Sequence, residues 1–472
     1  MINNNVHFKK DTDMTKEEKV LQFIAEEIAG TEFEGHVFLA GGAVRDEVMN
    51  LAPKDIDLMI DFDNGGIEFA NWITKNNDCF VEGSNPVTFP KFGTAKFNLR
   101  GTNHEEIDIE CVMTRSEKYE RGSRKPEVEF ASLKDDVLRR DLTINSLLKN
   151  ISTGEILDLT GFGIADIKAK LIRTPLDENI TFTDDPLRML RVIRFAAKFN
   201  FMIGWETLKG IENNAEKIET ISFERIHDEL NKIIVTDNVT RAFELLKDTG
   251  LLKFIIPELI ILSGLRQNKF HAFDVWGHIF KTVENTEKIL VNRWAALLHD
   301  IGKDATWEET DTGVHFFDHH IVGTPIAEGI LKRLKFSNEF TDAVTFIVRH
   351  HMRFKDVKFD GTGISDKGLR KIKILAGDNL TALLDVMNAD NISHGTDWDD
   401  PRIIDAIEDR LRNLRDLPKK PTLPVNGNDI MVEFDIPAGP EIGRFLKFVE
   451  DAWFSDPQLT KDQALELIKN EK

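Results

Sequence analysis

The sequence predicts a multidomain chain: an α/β head at the N-terminus, followed by an all-α remainder. Three observations lead there. From Val37 to about Thr160 short apolar runs alternate with helical patterns, as packed strands and helices require. From about Ala165 onward apolar residues recur at three- and four-residue spacing, the period of one helix face. The segment "RDLPKKPTLPVNGNDI" (415–430) is proline-rich and reads as a linker before a short helical tail. A chain of 472 residues has room for several domains. The expected boundaries are 1–165 for the head with its N-terminal helix, 166–265 for a helical neck and body, 266–415 for a second helical domain and 416–472 for the tail.

Taken in order, the first thirty residues are a polar leader and one amphipathic helix ending near Gly30. "VFLA", "DIDLMI", "TAKFNL", "EIDIECVM" and "EILDL" are the strand candidates of the head. Beyond it, "DPLRMLRVIRFAAKF", "FERIHDELNKII" and "VTRAFELLKDTGLL" each carry an apolar helical stripe.

Composition bounds the function. Hydrophobic residues make up 41% of the chain, so it can bury cores and is not an acidic disordered protein. Two cysteines, Cys79 and Cys111, have neither metal-like nor disulfide-like spacing, which suits a reducing compartment. The N-terminus "MINNNVHFKKDTDM" lacks the apolar core of a signal peptide, and no run is long enough to span a membrane. A cytoplasmic protein with no membrane partner, monomeric or homodimeric, is the expectation. The net charge of −20 argues against broad adhesion to nucleic acid. It leaves room for RNA binding through a local basic surface, and 167–174 and 188–199 are locally basic.

The head contains an unusual stretch, "FLAGGAVRDEVMNLAPKDIDLMI" (38–60). Residues two apart on a strand share a face, so Asp55 and Asp57 project side by side and repel unless a cation sits between them. Magnesium binds in that way, through one or two carboxylates plus substrate phosphates. "EIDIECVM" can supply a third acid, Asp108 or Glu110. The glycines allow close approach of backbone to phosphate. A lone pair of aspartates this close is most often a solvated strand, and by itself decides nothing.

The match extends further. "GGAVRD…KDIDLMI", "RRDLTINSL" (139–147), "TDDPLRMLRVIRFAAKF" (183–199) and "SFERIHDELNKII" (222–234) occur in that order. Together they resemble the class II nucleotidyltransferases, the bacterial CCA-adding tRNA nucleotidyltransferases and the related bacterial poly(A) polymerases. The resemblance implies that Asp55 and Asp57 bind Mg2+ with Glu110 as the third catalytic acid. It implies that Gly41, Gly42, Arg45 and Asp46 cradle the triphosphate, and that Arg139, Arg140, Asp141 and Asn145 contact phosphate and sugar. Asp185 and Arg188 then read the base, with Arg191 and Arg194 as further nucleotide-binding candidates. Arg191 and Arg194 are equally well read as a solvated helix face. A carboxylate accepts from the exocyclic amine that cytosine and adenine share, whereas uracil and guanine present the opposite pattern. The family usually has Glu-Asp where this chain has Asp184-Asp185, which touches the orientation of the pair.

Eight of the 13 histidines fall between residues 271 and 351. "HAFDVWGHIFKTVENT", "WAALLHDIGK", "FFDHHIVGTPIAEGILKRL", "VRHHMRF" and "LLDVMNADNISH" follow one another. An adjacent His-Asp supplies two ligands to one metal, and helix packing can bring other histidines and a distal aspartate to it. The set resembles the HD phosphohydrolase superfamily, in particular the HD domain appended to some CCA-adding enzymes. By position, His278, His299, Asp300, His319, His350 and Asp390 match its metal ligands, with Lys303 as a phosphate-binding candidate. Neighbours on a helix diverge by about 100°, so only one of His350 and His351 faces the metal, and the same holds for His319 and His320. Spacing to Gly323 favours His319. The resemblance implies hydrolysis of phosphoesters, 2′,3′-cyclic phosphates included, with Mn2+, Ni2+ or Mg2+ as the ion; imidazole donors favour Mn2+ or Ni2+. The tail "LPVNGNDIMVEFDIPAGPEIGRFLKFVEDA" also looks like the family.

The expected function is therefore addition of CCA to tRNA from CTP and ATP, coupled to an HD phosphohydrolase. Poly(A) synthesis and partial CC- or A-addition use the same head chemistry. The poly(A) branch tends to carry a basic, glycine-led signature after the aspartate strand, which "SNPVTFPKFGTAKFN" lacks. An alarmone synthetase/hydrolase also joins these two domain types, but with the HD domain first and without "RRDLTINS" or "DDPLR".

Overall fold

Thr15 starts the first helix, Lys16–Ile28, with a capping box: its hydroxyl accepts from the Glu18 amide at 3.2 Å, and the Glu18 carboxylate accepts from the Thr15 amide at 2.9 Å. Val20, Ile24 and Ile28, four apart, are buried and give the helix one apolar face. The computed structural model describes residues 14–52, 55–75, 85–100, 106–118, 127–268, 271–354, 363–396, 402–414 and 422–471. Cys79 and the first half of the proline-rich linker lie outside them.

Among the described residues nine strands follow in the head: β1 Val37–Ala40, β2 Ile56–Ile60, β3 Val87–Phe89, β4 Thr94–Arg100, β5 Glu106–Met113, β6 Arg115–Lys118, β7 Glu127–Phe130, β8 Leu148–Asn150 and β9 Ile156–Leu157. Seven form one sheet in the order β3-β4-β5-β2-β1-β8-β9, and β6 pairs with β7 apart from it. Within this sheet, among the described residues, only β2 and β5 pair in parallel. Four of the five expected strands are β1, β2, β4 and β5; "EILDL" contributes only Ile156 and Leu157. β3, β6, β7 and β8 carry little pattern of their own at three or four residues each, and pairing completes them. The alternation of β5 buries Ile107, Ile109, Cys111 and Met113 and leaves Asp108 and Glu110 on the other face. Helix Gly65–Lys75 packs on the buried face, and Gly66 makes that approach feasible. A Cβ there would lie 2.4 Å from the Gly93 carbonyl oxygen and 2.6 Å from that of Cys111.

Contacts divide the chain into two compact units. One comprises the head up to Ser222 with Glu244–Phe254; the other comprises Phe223–Phe243 with everything from Ile255. The first unit contains helix Leu187–Phe199, whose buried residues include Leu190, Ile193 and Ala197, and whose Arg188, Arg191 and Arg194 share the opposite stripe. The second unit packs helices Val275–Asn285, Leu290–Leu298, His319–Arg333, Asn338–His350 and Leu380–Asn391 together. The all-helical expectation needs two corrections. Leu171–Ile172 pairs in parallel with Met202–Ile203, and Trp307–Thr310 forms a hairpin with Gly313–Phe316. Each is too short to override the helical period around it. Within the second unit the tail helices Gly427–Phe434, Pro440–Ser455 and Lys461–Glu471 close a small core of their own around Ile430, Phe445, Val449 and Ile468.

Candidate functional sites

In the head, pairing register builds an acidic cleft. Asp57 on β2 lies opposite Glu110 on β5, which in turn lies opposite Lys96 on β4. Asp55, immediately before β2, joins Asp57, Asp108 and Glu110 around a cleft of about 490 Å³. Lys96 Nζ pairs with Glu110 Oε2 at 2.7 Å, and that bond raises the lysine's proton affinity. Although Asp57 opens to solvent, crowding by the cleft walls desolvates it. Together with the charges of Glu110 and Asp55, this pushes its carboxyl above the ordinary range. Nearby Arg140 and Lys96 pull it back in part. A group of carboxylates that repel in this way offers only hard oxygen donors, which fit magnesium.

β1 runs into a turn at Gly41 with φ +66° and ψ −121°, where an L side chain is strained, and helix Gly42–Val48 follows. A Cβ on Gly41 would also stand 3.2 Å from Arg140 Nη1. Arg45 is buried beneath this turn: Nε and Nη2 pair with Asp46 Oδ1 at 2.8 and 2.7 Å, and Nη1 donates to Asn145 Oδ1 at 2.5 Å. The guanidinium also lies over the rings of Phe195 and Phe199. Arg45 thereby locks the turn to the residues behind it.

The arginines of "RRDLTINSL" have a shared anchor. Asp136, fully buried on helix Leu133–Leu138, accepts from Arg139 Nη2 at 2.5 Å, Arg139 Nε at 3.1 Å and Arg140 Nε at 3.3 Å. Arg140 Nη1 reaches the Asn145 carbonyl at 3.1 Å. Asp141 accepts from Asn145 Nδ2 at 3.2 Å and from Arg191 Nε at 2.7 Å. Burial alone would raise the Asp141 carboxyl; the Arg191 charge and the bonds from Asn145 and Arg191 outweigh it and hold it below the ordinary range. Arg191 is therefore ion-paired, not a solvated decoration, and Arg194 stacks on Phe195 at 4.1 Å. Asp185 sits at the break between helices Glu178–Asp184 and Leu187–Phe199, where Oδ1 accepts from the Leu187 amide at 3.2 Å. Arg188 follows one turn of chain later, half-buried.

In the second unit, helix packing gathers the histidines. His278, His299, His319 and His351 each place Nδ1 against a backbone carbonyl: Ser393 at 3.1 Å, Ala296 at 2.7 Å, Phe316 at 2.9 Å and Val348 at 2.7 Å. A carbonyl only accepts, so each Nδ1 carries the proton and each Nε2 presents a lone pair. Those four Nε2 atoms converge on Asp300, and Asp390 Oδ1 lies 3.0 Å from His278 Nε2. Burial keeps His278 below the ordinary imidazole range and His351 well below it. Burial opposes charge on His299 too, but the adjacent Asp300 and Asp390 overcome it and raise that imidazole. Asp300 is likewise buried, yet His299 and Lys303 hold its carboxyl well below the ordinary range. Its Oδ2 is sealed from solvent and accepts no well-angled hydrogen bond, although Lys303 Nζ is 2.6 Å away. Lone pairs facing one another around an unsatisfied carboxylate oxygen fit a metal ion.

His350 must be corrected. It ends helix Asn338–His350 on the outer side, where Nδ1 accepts from Arg353 Nε at 3.0 Å and its ring packs on Phe346. The next residue, His351, turns inward to 2% exposure. His319 stands in the cluster; His320 stays outside it, half-buried.

Three family models match in chain order: the Poly A polymerase head domain at residues 37–173, the "Probable RNA and SrmB- binding site of polymerase A" at 200–262 and the HD domain at 271–393. The chain is 30% identical over 332 residues to the Multifunctional CCA protein of Actinobacillus pleuropneumoniae, covering 67% of this chain and 75% of that one. The chain belongs to the CCA-adding tRNA nucleotidyltransferase family. A second member, the tRNA nucleotidyltransferase cca1 of Schizosaccharomyces pombe, is 34% identical over 271 residues, 52% of each chain; this chain thus spans about half the length of that relative. The fold of a CCA-adding enzyme from Bacillus stearothermophilus, solved in complex with CTP, matches with a TM-score of 0.67 at 20% identity, covering 97% of this chain and 98% of that one. Among the described residues no helix is long and apolar enough to cross a membrane. Within this CCA-adding family frame, sequence reasoning missed Asp136. Its signal was available: "KDDVLRR" places an acid four residues before Arg140, the spacing at which opposite charges pair along a helical turn.

Proposed function

We propose that the chain builds CCA on the 3′ end of tRNA from CTP and ATP, and that its HD domain hydrolyses phosphoesters at RNA ends. The observation that carries the first part is the acidic cleft set beside Arg140. Asp55, Asp57 and Glu110 would hold Mg2+, which when bound acidifies the RNA 3′-hydroxyl and neutralises the departing pyrophosphate. Gly41 leaves space for phosphate against the backbone, and Arg140, held by Asp136, orients the triphosphate. Asp185 accepts from the exocyclic amine of cytosine or adenine while Arg188 donates to the neighbouring ring position; uracil and guanine would leave both unpaired. Positioning and fixed charge supply most of the acceleration.

In the HD domain His278, His299, Asp300, His319, His351 and Asp390 would hold Mn2+, Ni2+ or Mg2+, which when bound polarises a phosphoester and acidifies a water. Lys303, in contact with Asp300, would supply the positive charge for a phosphate oxygen. Cleaning a 2′,3′-cyclic phosphate from a damaged end would expose the hydroxyl that the head extends, a task suited to the cytoplasm.

A tRNA lacking CCA, given CTP and ATP separately and together, tests the first part by product size. Addition of three nucleotides is expected. A long adenylate tail with ATP alone would make it a poly(A) polymerase, and arrest after two cytidines or one adenosine a partial enzyme. The second part predicts that His299→Ala with Asp300→Ala abolishes cyclic-phosphate hydrolysis; unchanged hydrolysis would sink it.

A further inference from the structure

We propose that strand β3 forms an acceptor ledge beside the acidic cleft, on which Val87 and Phe89 carry the base of the RNA's 3′-terminal nucleoside. This rests on the nucleotidyltransferase reading above and gives the second substrate, the RNA end, its own subsite.

Register sets out one row across the sheet. Val87 on β3 lies opposite Lys96 on β4, Lys96 opposite Glu110 on β5, and Glu110 opposite Asp57 on β2. Residues directly opposite one another share a sheet face, so Val87 stands on the face of the catalytic acids. Phe89, two residues on and opposite Thr94, stands on that face too. Val87 is 60% exposed and Phe89 41%. Apolar residues scattered singly on a surface need no explanation. These two are neighbours on one face of what is, among the described residues, an edge strand of the sheet, where proteins usually place charge. The row they extend leads to the acids.

The direction of the reaction decides which substrate lies there. The sheet order β3-β4-β5-β2-β1 puts Gly41, which follows β1, on the far side of the acids from β3. Arg140 is on that far side as well, its Nη1 3.2 Å from where a Gly41 Cβ would stand. With the triphosphate held by these two, pyrophosphate departs toward β1. Attacking and leaving oxygens are roughly in line in phosphoryl transfer, so the 3′-hydroxyl enters from the opposite side, over β4 and β3. A strand spacing of about 4.8 Å puts β3 about 10 Å from β5, within reach of the base of a nucleoside whose hydroxyl is at the acids. Lys96 lies between, its side chain 56% exposed, and supplies positive charge on the path of the RNA backbone. Stacking on an apolar ledge tolerates any base. That suits an acceptor whose terminal base changes with each addition, while Asp185 and Arg188 read the incoming one.

The test gives the full-length chain Mg2+, CTP and two RNAs: a tRNA lacking CCA, and the same tRNA with an abasic 3′-terminal ribose. In the parent the abasic end is expected to raise KM for RNA about tenfold, the worth of one base on an aromatic ring. Phe89→Ala should raise KM for the intact RNA by about as much, leave KM for CTP unchanged, and respond no further to the abasic end. Phe89→Trp should keep the parent's KM and its dependence on the base. Val87→Ser should raise KM for the intact RNA by a smaller factor. Circular dichroism shows which variants remain folded, and alterations at two positions guard against one failing to fold. A parent indifferent to the abasic end, effects of Phe89→Ala and the abasic end that multiply, or a rise in KM for CTP instead overturns the ledge while leaving CCA addition standing. A parent that extends neither RNA overturns the polymerase reading, and the ledge with it.

Discussion

Replacing Asp136 with Asn removes a charge from the one fully buried group that holds both arginines of "RRDLTINSL". The carboxylate makes two short contacts to Arg139, at 2.5 and 3.1 Å, and a longer one to Arg140 at 3.3 Å. Hydrogen bonds to charged groups contribute about 1.5–3 kcal/mol each. Arg139 and Arg140 retain 25% and 20% of their side-chain exposure, so water replaces part of what is lost. The low end for two bonds gives about 3 kcal/mol of head stability. On the proposed role of Arg140 only the part that reaches this arginine bears on nucleotide binding: about one bond, 1.5 kcal/mol, or roughly tenfold. Steady-state addition to a tRNA lacking CCA should therefore show KM for CTP raised about tenfold, with kcat little changed because Asp55, Asp57 and Glu110 remain. Hydrolysis by the HD domain serves as the control and should not move. An unaltered KM would show that the arginines are positioned without Asp136. A collapse of kcat at constant KM would mean that Asp136 acts on the chemistry itself, and the reasoning would be wrong.

Gly41→Ala places a side chain at φ +66° and within 3.2 Å of Arg140 Nη1, a strain of about 1–3 kcal/mol, so KM for CTP should rise while HD hydrolysis stays constant; an unaffected KM would show that the turn adapts. Asp141→Asn removes the partner of Arg191. The Asp141 carboxyl is depressed in the folded chain, so its contribution is complete above the unfolded value of about 3.9 and fades as pH falls through the lower folded value. Thermal melts should show the variant less stable than the parent at pH 7, with the gap closing only below about pH 4; a gap constant across that range would refute the pairing. His351→Ala should abolish cyclic-phosphate hydrolysis and His350→Ala should leave it within about twofold of the parent, since a solvent-side substitution is usually near neutral. The reverse ranking in a hydrolysis assay would restore His350 to the site.

Much of this molecule was legible from local pattern. Asp57 points away from the core because strand period is two, and Asp55, just before β2, borders the same cleft. The helix Leu187–Phe199 was readable from its apolar spacing, and His299–Asp300 from adjacency at the end of the apolar run that forms helix Leu290–Leu298. Those features depend on residues a few positions apart, so period and neighbour chemistry determine them. What the tertiary structure alone decided depends on contacts between distant segments. Whether Glu110 or Asp108 faces Asp57 is a matter of β2–β5 register. His351 replaces His350 because the end of one helix turns toward another, a rotation of about 100° that spacing cannot sign. Arg191 changes from surface charge to ion-pair partner because Asp141, fifty residues earlier, is buried beside it. The two oxygens of Asp300 face different histidine pairs because four helix ends meet there, and no linear pattern records which end approaches which oxygen.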